Sequence, residues 1–300
     1  MNITGTLQLG FIYSFLTLGV FISFRVMNTP DLTADGSFTL GMAISSVATV
    51  AGYPVLGLFL GLIAGSFAGV VTGLLQTKAG IHPLLAGILT MTGLYSINLF
   101  IMGGSPNLSL LGRENLFTLA QARLPSLDRN SIRLCLLFLI SLCFIGILTW
   151  FFKTGMGLRL RATGNNEQMV RSSSLNTDLI KISACAIANA LISFSGAILA
   201  QYQGYGDINA GTGIVIIGLA SVILGELFPY GSSMGRRLLS VTLGALVYRF
   251  LIAVVLYLNI FPAYMLRLLS ALIVAIALAL PRLRLIYDQY RTRKRKSPYA

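Results

Sequence analysis

Nine uninterrupted apolar runs leave this chain few ways to fold. They cover residues 6–24, 37–51, 54–77, 83–102, 132–152, 179–200, 213–228, 238–257 and 263–280. Most approach the roughly 20 residues that a helix needs to cross a hydrocarbon core about 30 Å thick. Hydrophobic residues make up 55% of the 300 and charged ones 10%, with a mean hydropathy of +0.81. That is too little charge to cover the surface of a soluble domain of this size. The expectation is an all-α integral membrane protein of about nine transmembrane helices. A single membrane domain, 1–281, precedes a basic tail, 282–300. The first run is read as a span and not as a secretory signal. No Lys or Arg precedes it, and no small-residue cleavage site leads into a soluble domain.

The net charge of +13 could suggest nucleic acid, but its placement points elsewhere. Seven Lys/Arg against one Asp288 in 282–296 assign the C-terminus to the cytoplasm. Counting back through nine spans puts Arg25, Lys78, Lys153, Arg159, Arg161, Arg171, Lys181, Arg236 and Arg237 on the same side. With the tail, sixteen of the 22 cations lie inside, and Arg113, Arg123, Arg129 and Arg133 lie outside. The basic balance therefore marks topology and contact with anionic headgroups of the bilayer; no nucleic acid is expected.

Two runs are short for a span. Residues 37–51 and 213–228 make about 22 Å and 24 Å of helix. Each follows a polar, glycine-containing segment: Asn28-Thr-Pro-Asp-Leu-Thr-Ala-Asp-Gly36 and Gln203-Gly-Tyr-Gly-Asp-Ile-Asn-Ala-Gly-Thr-Gly213. Irregular backbone survives at membrane depth only where protein or a water-filled cavity satisfies its amides. Both segments are thus read as broken or re-entrant, each starting a half-helix inside the membrane. Asp31-Leu-Thr-Ala34 aligns with Asp207-Ile-Asn-Ala210, and the charge-based topology sends the two half-helices in opposite directions. That combination suggests an inverted internal repeat, a plan that sets a binding site at the midplane.

Little else carries chemistry. There is no phosphate loop, no dinucleotide fingerprint and no hydrolytic triad, and no metal or cofactor is expected. Cys135, Cys143 and Cys185 fall within apolar runs and are read as core residues. His82 precedes Pro83 at a helix start. Gly57, Gly61, Gly65, Gly69 and Gly73 strip one helix face for close packing.

The longest inside loop, 154–178, has helix punctuation: Asn165 or Asn166 can cap a short helix through Val170, with Glu167 in its first turn. Such a helix suits docking to a cytoplasmic partner. Gly157-Leu-Arg-Leu-Arg-Ala-Thr-Gly-Asn-Asn166, followed by Ser174-Leu-Asn176, resembles the coupling segment of ATP-binding-cassette importer permeases of the branched-chain amino acid and ribose class. Asp35-Gly-Ser-Phe-Thr-Leu-Gly41 resembles the re-entrant segment of that class. Gly218-Leu-Ala-Ser-Val-Ile-Leu-Gly-Glu226 and Tyr248-Arg249 are most similar to its subgroup predicted to carry tryptophan or tyrosine. Asn166-Glu167 departs from the wider family's Glu-Asn-Pro.

The resemblance implies a non-catalytic permease in a bacterial inner membrane. Its partners would be two copies of an ATPase, a second permease copy in a homodimer, and an extracytoplasmic binding protein landing on the outer loop 103–130. Coupling to the ATPase would fall to Arg159, Arg161, Gly164, Asn165, Asn166 and Glu167. A bulky residue at Gly164 is expected to uncouple transport and leave insertion intact.

Candidates for the substrate path are Asp31, Asp35, Ser37, Asp207, Asn209 and Arg249. Half-helix starts near Ser37 and Gly213 would offer free amides to a carboxylate, and Asp31 and Asp35 could accept an ammonium, which favours an amino acid. Capping of broken backbone is the rival role for both Asp residues. Arg249 could pair with Asp207 or a backbone carbonyl, or line the pore; Arg267, shallower, would snorkel. A sugar or nucleoside permease and a secondary transporter with inverted repeats remain the alternatives.

Overall fold

The computed structural model describes residues 3–123, 128–228 and 233–258, with isolated positions at 268, 271, 272 and 275. The rest of the ninth apolar run, Arg267 and the tail 282–300 lie outside the described residues. The other eight runs are helical. The first is α1 (Ile3–Val20), which continues into a π-helical turn, Phe21–Val26. Then come α2 (Thr33–Val50), α3 (Pro54–Thr77), α4 (Pro83–Ile101), strand β1 (Asn107–Ser109) and α5 (Leu116–Arg123). Next are α6 (Arg129–Phe151), α7 (Gly155–Asn165), α8 (Glu167–Ser172) and α9 (Thr177–Gln203). Strand β2 (Tyr205–Asp207), α10 (Ile214–Glu226) and α11 (Met234–Tyr257) follow. The ribbon β1–β2, antiparallel with Asn107 opposite Asp207, qualifies the all-α expectation.

Six of these helices, α1 with its π turn, α3, α4, α6, α9 and α11, are long and apolar enough to cross a membrane. The protein is a multi-pass membrane protein. The long helices alternate between two ends of the bundle. At one end the π turn, α7, α8 and the end of α10 meet, with Arg25 paired to Glu226. At the other lie the ribbon and α5, where Arg133 stacks on Phe117 and Tyr202.

The packing inverts the soluble pattern. α1 and α9 are each 78% buried over their most apolar window, whereas α4 and α6 are 22% buried. Phe59, Phe67, Leu85, Phe100, Phe138 and Trp150 face outward. Cys135 and Cys143 are on the outside as well, so only Cys185 is the core residue that the sequence suggested for all three. The centre holds α2, whose Ser37, Ser45, Ser46 and Thr49 are fully buried. Those hydroxyls lower its hydropathy, which is why it reads as a short run. In a lipid-facing helix they would be costly; here neighbouring helices cover them.

The glycine face of α3 is what lets the centre close. A Cβ on Gly65 would stand 2.3 Å from the Ser193 Cβ, and one on Gly69 would stand 2.2 Å from the Cys185 carbonyl oxygen. Both neighbours belong to α9, the helix on which α3 packs most extensively. Ser193 donates a 2.6 Å hydrogen bond to the Gly61 carbonyl across the same seam. Small residues substitute for a hydrophobic drive that is absent between helices in lipid.

Gly65→Leu or Gly69→Leu should therefore abolish a monodisperse peak in detergent size-exclusion chromatography, since overpacking costs about 1–3 kcal/mol before backbone is displaced. Gly93→Ala, where a Cβ meets nothing within 4 Å, should elute as the unmodified protein does.

Candidate functional site

The chain breaks twice inside the bundle. After the π turn it leaves helical geometry at Met27–Leu32, with Asn28 at φ 54°. The Thr33 amide donates to Asp31 Oδ1 at 2.9 Å and starts α2 there, four residues earlier than the sequence suggested. Asp35 and Gly36 are accordingly helical. The second break is deeper. From β2 the backbone runs back along α2, with Gly206 against Ser46 and Gly211 against the Asp35 carbonyl. Ser46 and Asp35 are about 16 Å apart along the helix, so α10 begins at depth. Gly213, at φ 76°, makes the turn that a residue with a Cβ would resist.

Asp35 closes that break. Its Oδ2 accepts the Gly213 amide at 2.8 Å and its Oδ1 the Val215 amide at 3.1 Å. The start of α10 is thus not an open set of amides, as the sequence suggested. A carboxylate from another helix already occupies it and meets the positive end of the helix dipole.

Asp31 and Ser37 lie behind this point. Asn189 Nδ2 donates to Asp31 Oδ2 at 2.7 Å and to the Cys185 carbonyl at 3.0 Å, while Ser37 Oγ donates to Asn189 Oδ1 at 2.8 Å. Thr33 and Thr72 share a hydroxyl contact of 2.8 Å. The network ties α2, α3 and α9 together. Asp207 sits in the ribbon, its Oδ1 accepting the Asn209 amide at 2.9 Å. The Arg249 guanidinium lies over the Tyr13 ring, 3.4 Å from its centroid, and its Nε has no hydrogen-bond partner. Neither Asp207 nor a carbonyl takes that nitrogen.

Of the six path candidates, one lines a cavity in this region. Asp35 joins Gly36, Thr39, Met91, Thr92, Tyr95, Asn98, Ile208 and Thr212 around about 260 Å³. Sequence reasoning overlooked Asn98 and Asn189, although a lone amide within an apolar run is itself a signal.

A second constellation stands at the α8 end. Thr154 caps α7, and Asn166 caps α8 by accepting the Met169 amide at 3.1 Å. Glu167 pairs with Lys181 at 2.7 Å and with Arg171 at 3.3 Å; Asp178 pairs with Lys78 at 3.3 Å. The Glu167–Lys181 pair fastens α8 to α9, and Asp178–Lys78 fastens the start of α9 to the end of α3. Arg159, Arg161, Asn165 and Asn166 are exposed, as are Leu158 and Met169, at 52% and 63%. Arg161, Gly164 and Asn165 line a cavity of about 480 Å³ with Arg25 and Arg237. Gly164 is a packing position: a Cβ would stand 1.8 Å from the Val26 carbonyl oxygen. A bulky residue there would displace α7 from the first span, so the variant cannot leave the fold untouched.

Residues 2–278 match the family model described as branched-chain amino acid transport system / permease component. The chain is 38% identical over 242 residues to a tyrosine transport system permease protein of Clostridioides difficile (strain R20291), covering 80% of this chain and 78% of that one. It is 34% identical over 211 residues to an uncharacterized protein of Rickettsia prowazekii (strain Madrid E), covering 70% and 72%. It is 26% identical over 246 residues to a ribose import permease protein of Bacillus subtilis (strain 168), covering 82% and 71%. No solved structure shows a significant match.

The Asp35 cap gives a direct expectation. Asp35→Ala should lower thermal stability in detergent by about 1–2 kcal/mol, the usual loss for an N-cap. Asp35→Asn, whose one oxygen can keep one of the two amides while its Nδ2 opposes the other, should recover only part of that loss. An Asp35→Ala variant as stable as the unmodified protein by scanning fluorimetry would deny the cap its role.

Proposed function

The chain belongs to the branched-chain amino acid transport permease family, and on that premise we propose that it is the pathway-forming subunit of an ATP-driven importer of an amino acid. The observation that carries the coupling half of this reading is α8. It is a capped helix of six residues in the long segment between α6 and α9, braced by ion pairs and presenting Met169 outward. A helix so held transmits displacement to α9 when a partner moves it, and through Asp178–Lys78 on to α3. Arg159, Arg161, Asn165 and Asn166 would surround that contact, with Gly164 and Glu167 holding it to the bundle.

The subunit would hydrolyse nothing itself. It would work in a bacterial inner membrane with two ATPase copies, a second copy of itself and a binding protein seated on 103–130. Alternating access would be organised by an inverted repeat. Its support is that Asp31 and Asp207 each accept the amide two residues on, Thr33 and Asn209, at 2.9 Å, while α2 and α10 run in opposite senses. In the path, Asp35 would face the solute. Asp31 and Ser37 would hold α2 in place behind it, Asp207 and Asn209 would shape the mouth, and Arg249 would set α11 against α1. The amino-acid assignment draws on the half-buried carboxylate at Asp35, for which a neutral sugar has no use, and on the tyrosine permease relative.

Two measurements test the reading. The complex purified with its ATPase and reconstituted in proteoliposomes should show ATP-dependent amino-acid uptake. Met169→Glu, at an exposed position, should reduce that uptake about tenfold, as loss of one interface anchor does. Undiminished uptake would remove α8 from the coupling contact. For topology, single cysteines in a background without native cysteines should label with an impermeant maleimide in intact cells at Ser109→Cys and not at Ser173→Cys. The reverse pattern would overturn the orientation, with the C-terminus inside, on which the scheme depends.

A further inference from the structure

The cavity between α4, the start of α2 and residues 208–212 holds a polar atom that the protein leaves unsatisfied. Asn98 is 1% exposed. Its Nδ2 donates to the Gly36 carbonyl at 3.2 Å, which settles the amide's orientation, since the reverse would oppose two acceptors. Its Oδ1 has no hydrogen-bond partner. Buried acceptors are rarely left in that state, and less readily still at membrane depth. This one calls for a donor that arrives from outside the chain.

The remaining walls say what kind. Each Asp35 oxygen accepts one backbone amide and keeps a lone pair, so the carboxylate can still receive a charged donor. Met91 and Tyr95 come from α4. Tyr95 is 51% exposed, about 9 Å inside the end of α4, deeper than the interfacial belt where exposed tyrosines usually lie. A thioether and a phenol together make good contacts to an aromatic ring. Thr212, also on the wall, adds a hydroxyl. The volume of about 260 Å³ falls just below the roughly 300–1,000 Å³ of drug-sized sites, as suits a single amino acid.

We infer that this cavity holds the substrate in transit, with Asn98 Oδ1 and Asp35 receiving its α-ammonium and Tyr95 and Met91 receiving an aromatic side chain. The inference rests on the importer reading and narrows it to aromatic amino acids. A branched-chain amino acid would satisfy the ammonium site and leave Tyr95 without a ring to stack on. A sugar hydroxyl would satisfy Asn98 and gain nothing from the charge on Asp35.

The test uses the complete importer in proteoliposomes, with labelled L-tyrosine, L-leucine and D-ribose as separate probes. Tyrosine uptake should exceed that of the other two. Tyr95→Leu should raise the KM for tyrosine about tenfold, the worth of one aromatic pair, without raising it for leucine. Asn98→Leu should raise the KM for both amino acids. ATPase rates and yields matching the unmodified complex certify assembly. Should Asn98→Leu fail to assemble, Tyr95→Leu decides alone, because its side chain is half exposed. ATP-driven tyrosine uptake with KM unchanged in Tyr95→Leu overturns the inference and leaves the importer intact. Uptake of ribose alone overturns the aromatic site and the amino-acid assignment together. No ATP-driven uptake of any probe fells the importer reading and this inference with it.

Discussion

The Asp35 carboxylate, bonded to the amides of Gly213 and Val215, is the interaction on which the centre of this protein depends. A helix that begins inside a membrane exposes amides that water cannot reach, and each left unpaired costs several kcal/mol. Asp35 satisfies two of them from a different helix, so the cap also acts as a tether. It fixes where α10 starts, and hence how far residues 208–213 descend along α2. Gly211 allows that descent, because its Cα lies against the Asp35 carbonyl with no room for a side chain. Ile208 and Thr212 of the descending chain line the cavity beside α4.

Around this tether the polar groups divide into two sets. Asp31, Asn189, Ser37 and Thr33 bond one another and bind α2 to α9 and α3. Every member has a partner, which is the condition for burying such a network without loss. Asn98, at the cavity, has one half of its amide satisfied and the other not. Scaffold and cavity wall thus use the same residue types, and Asn98 differs from Asn189 in that only Asn189 has both halves of its amide bonded. The glycine face of α3 serves the scaffold alone, bringing α9 close enough for Ser193 to reach the Gly61 carbonyl.

Much of the frame was legible in the residues. Apolar length predicted the helices, because a bilayer imposes its thickness on the sequence. Asn165 or Asn166 ahead of Glu167 predicted a cap for α8, which Asn166 supplies, because capping is local chemistry between neighbours. Other features were not legible. Helix α7 carries mixed polar and apolar residues and owes its order to Gly164 packing on Val26, far away in sequence. The ribbon of three-residue strands needs both partners present before either is a strand. Cys135 and Cys143 look like core residues in a pattern that cannot distinguish a lipid-facing from a buried position, since both are apolar.

The sequence by itself determined a membrane protein with two broken helices, its charge asymmetry, the capped loop helix and the family resemblance. All of these rest on spacing, composition or contacts within a few residues. Only the tertiary structure decided which acidic residue meets which backbone. Asp31 and Asp35 are four residues apart with similar neighbours, yet one is sealed against Asn189 while the other caps α10 and borders a cavity. That choice depends on partners 158 and 178 residues away. Long-range packing, not local pattern, brings them into hydrogen-bonding reach.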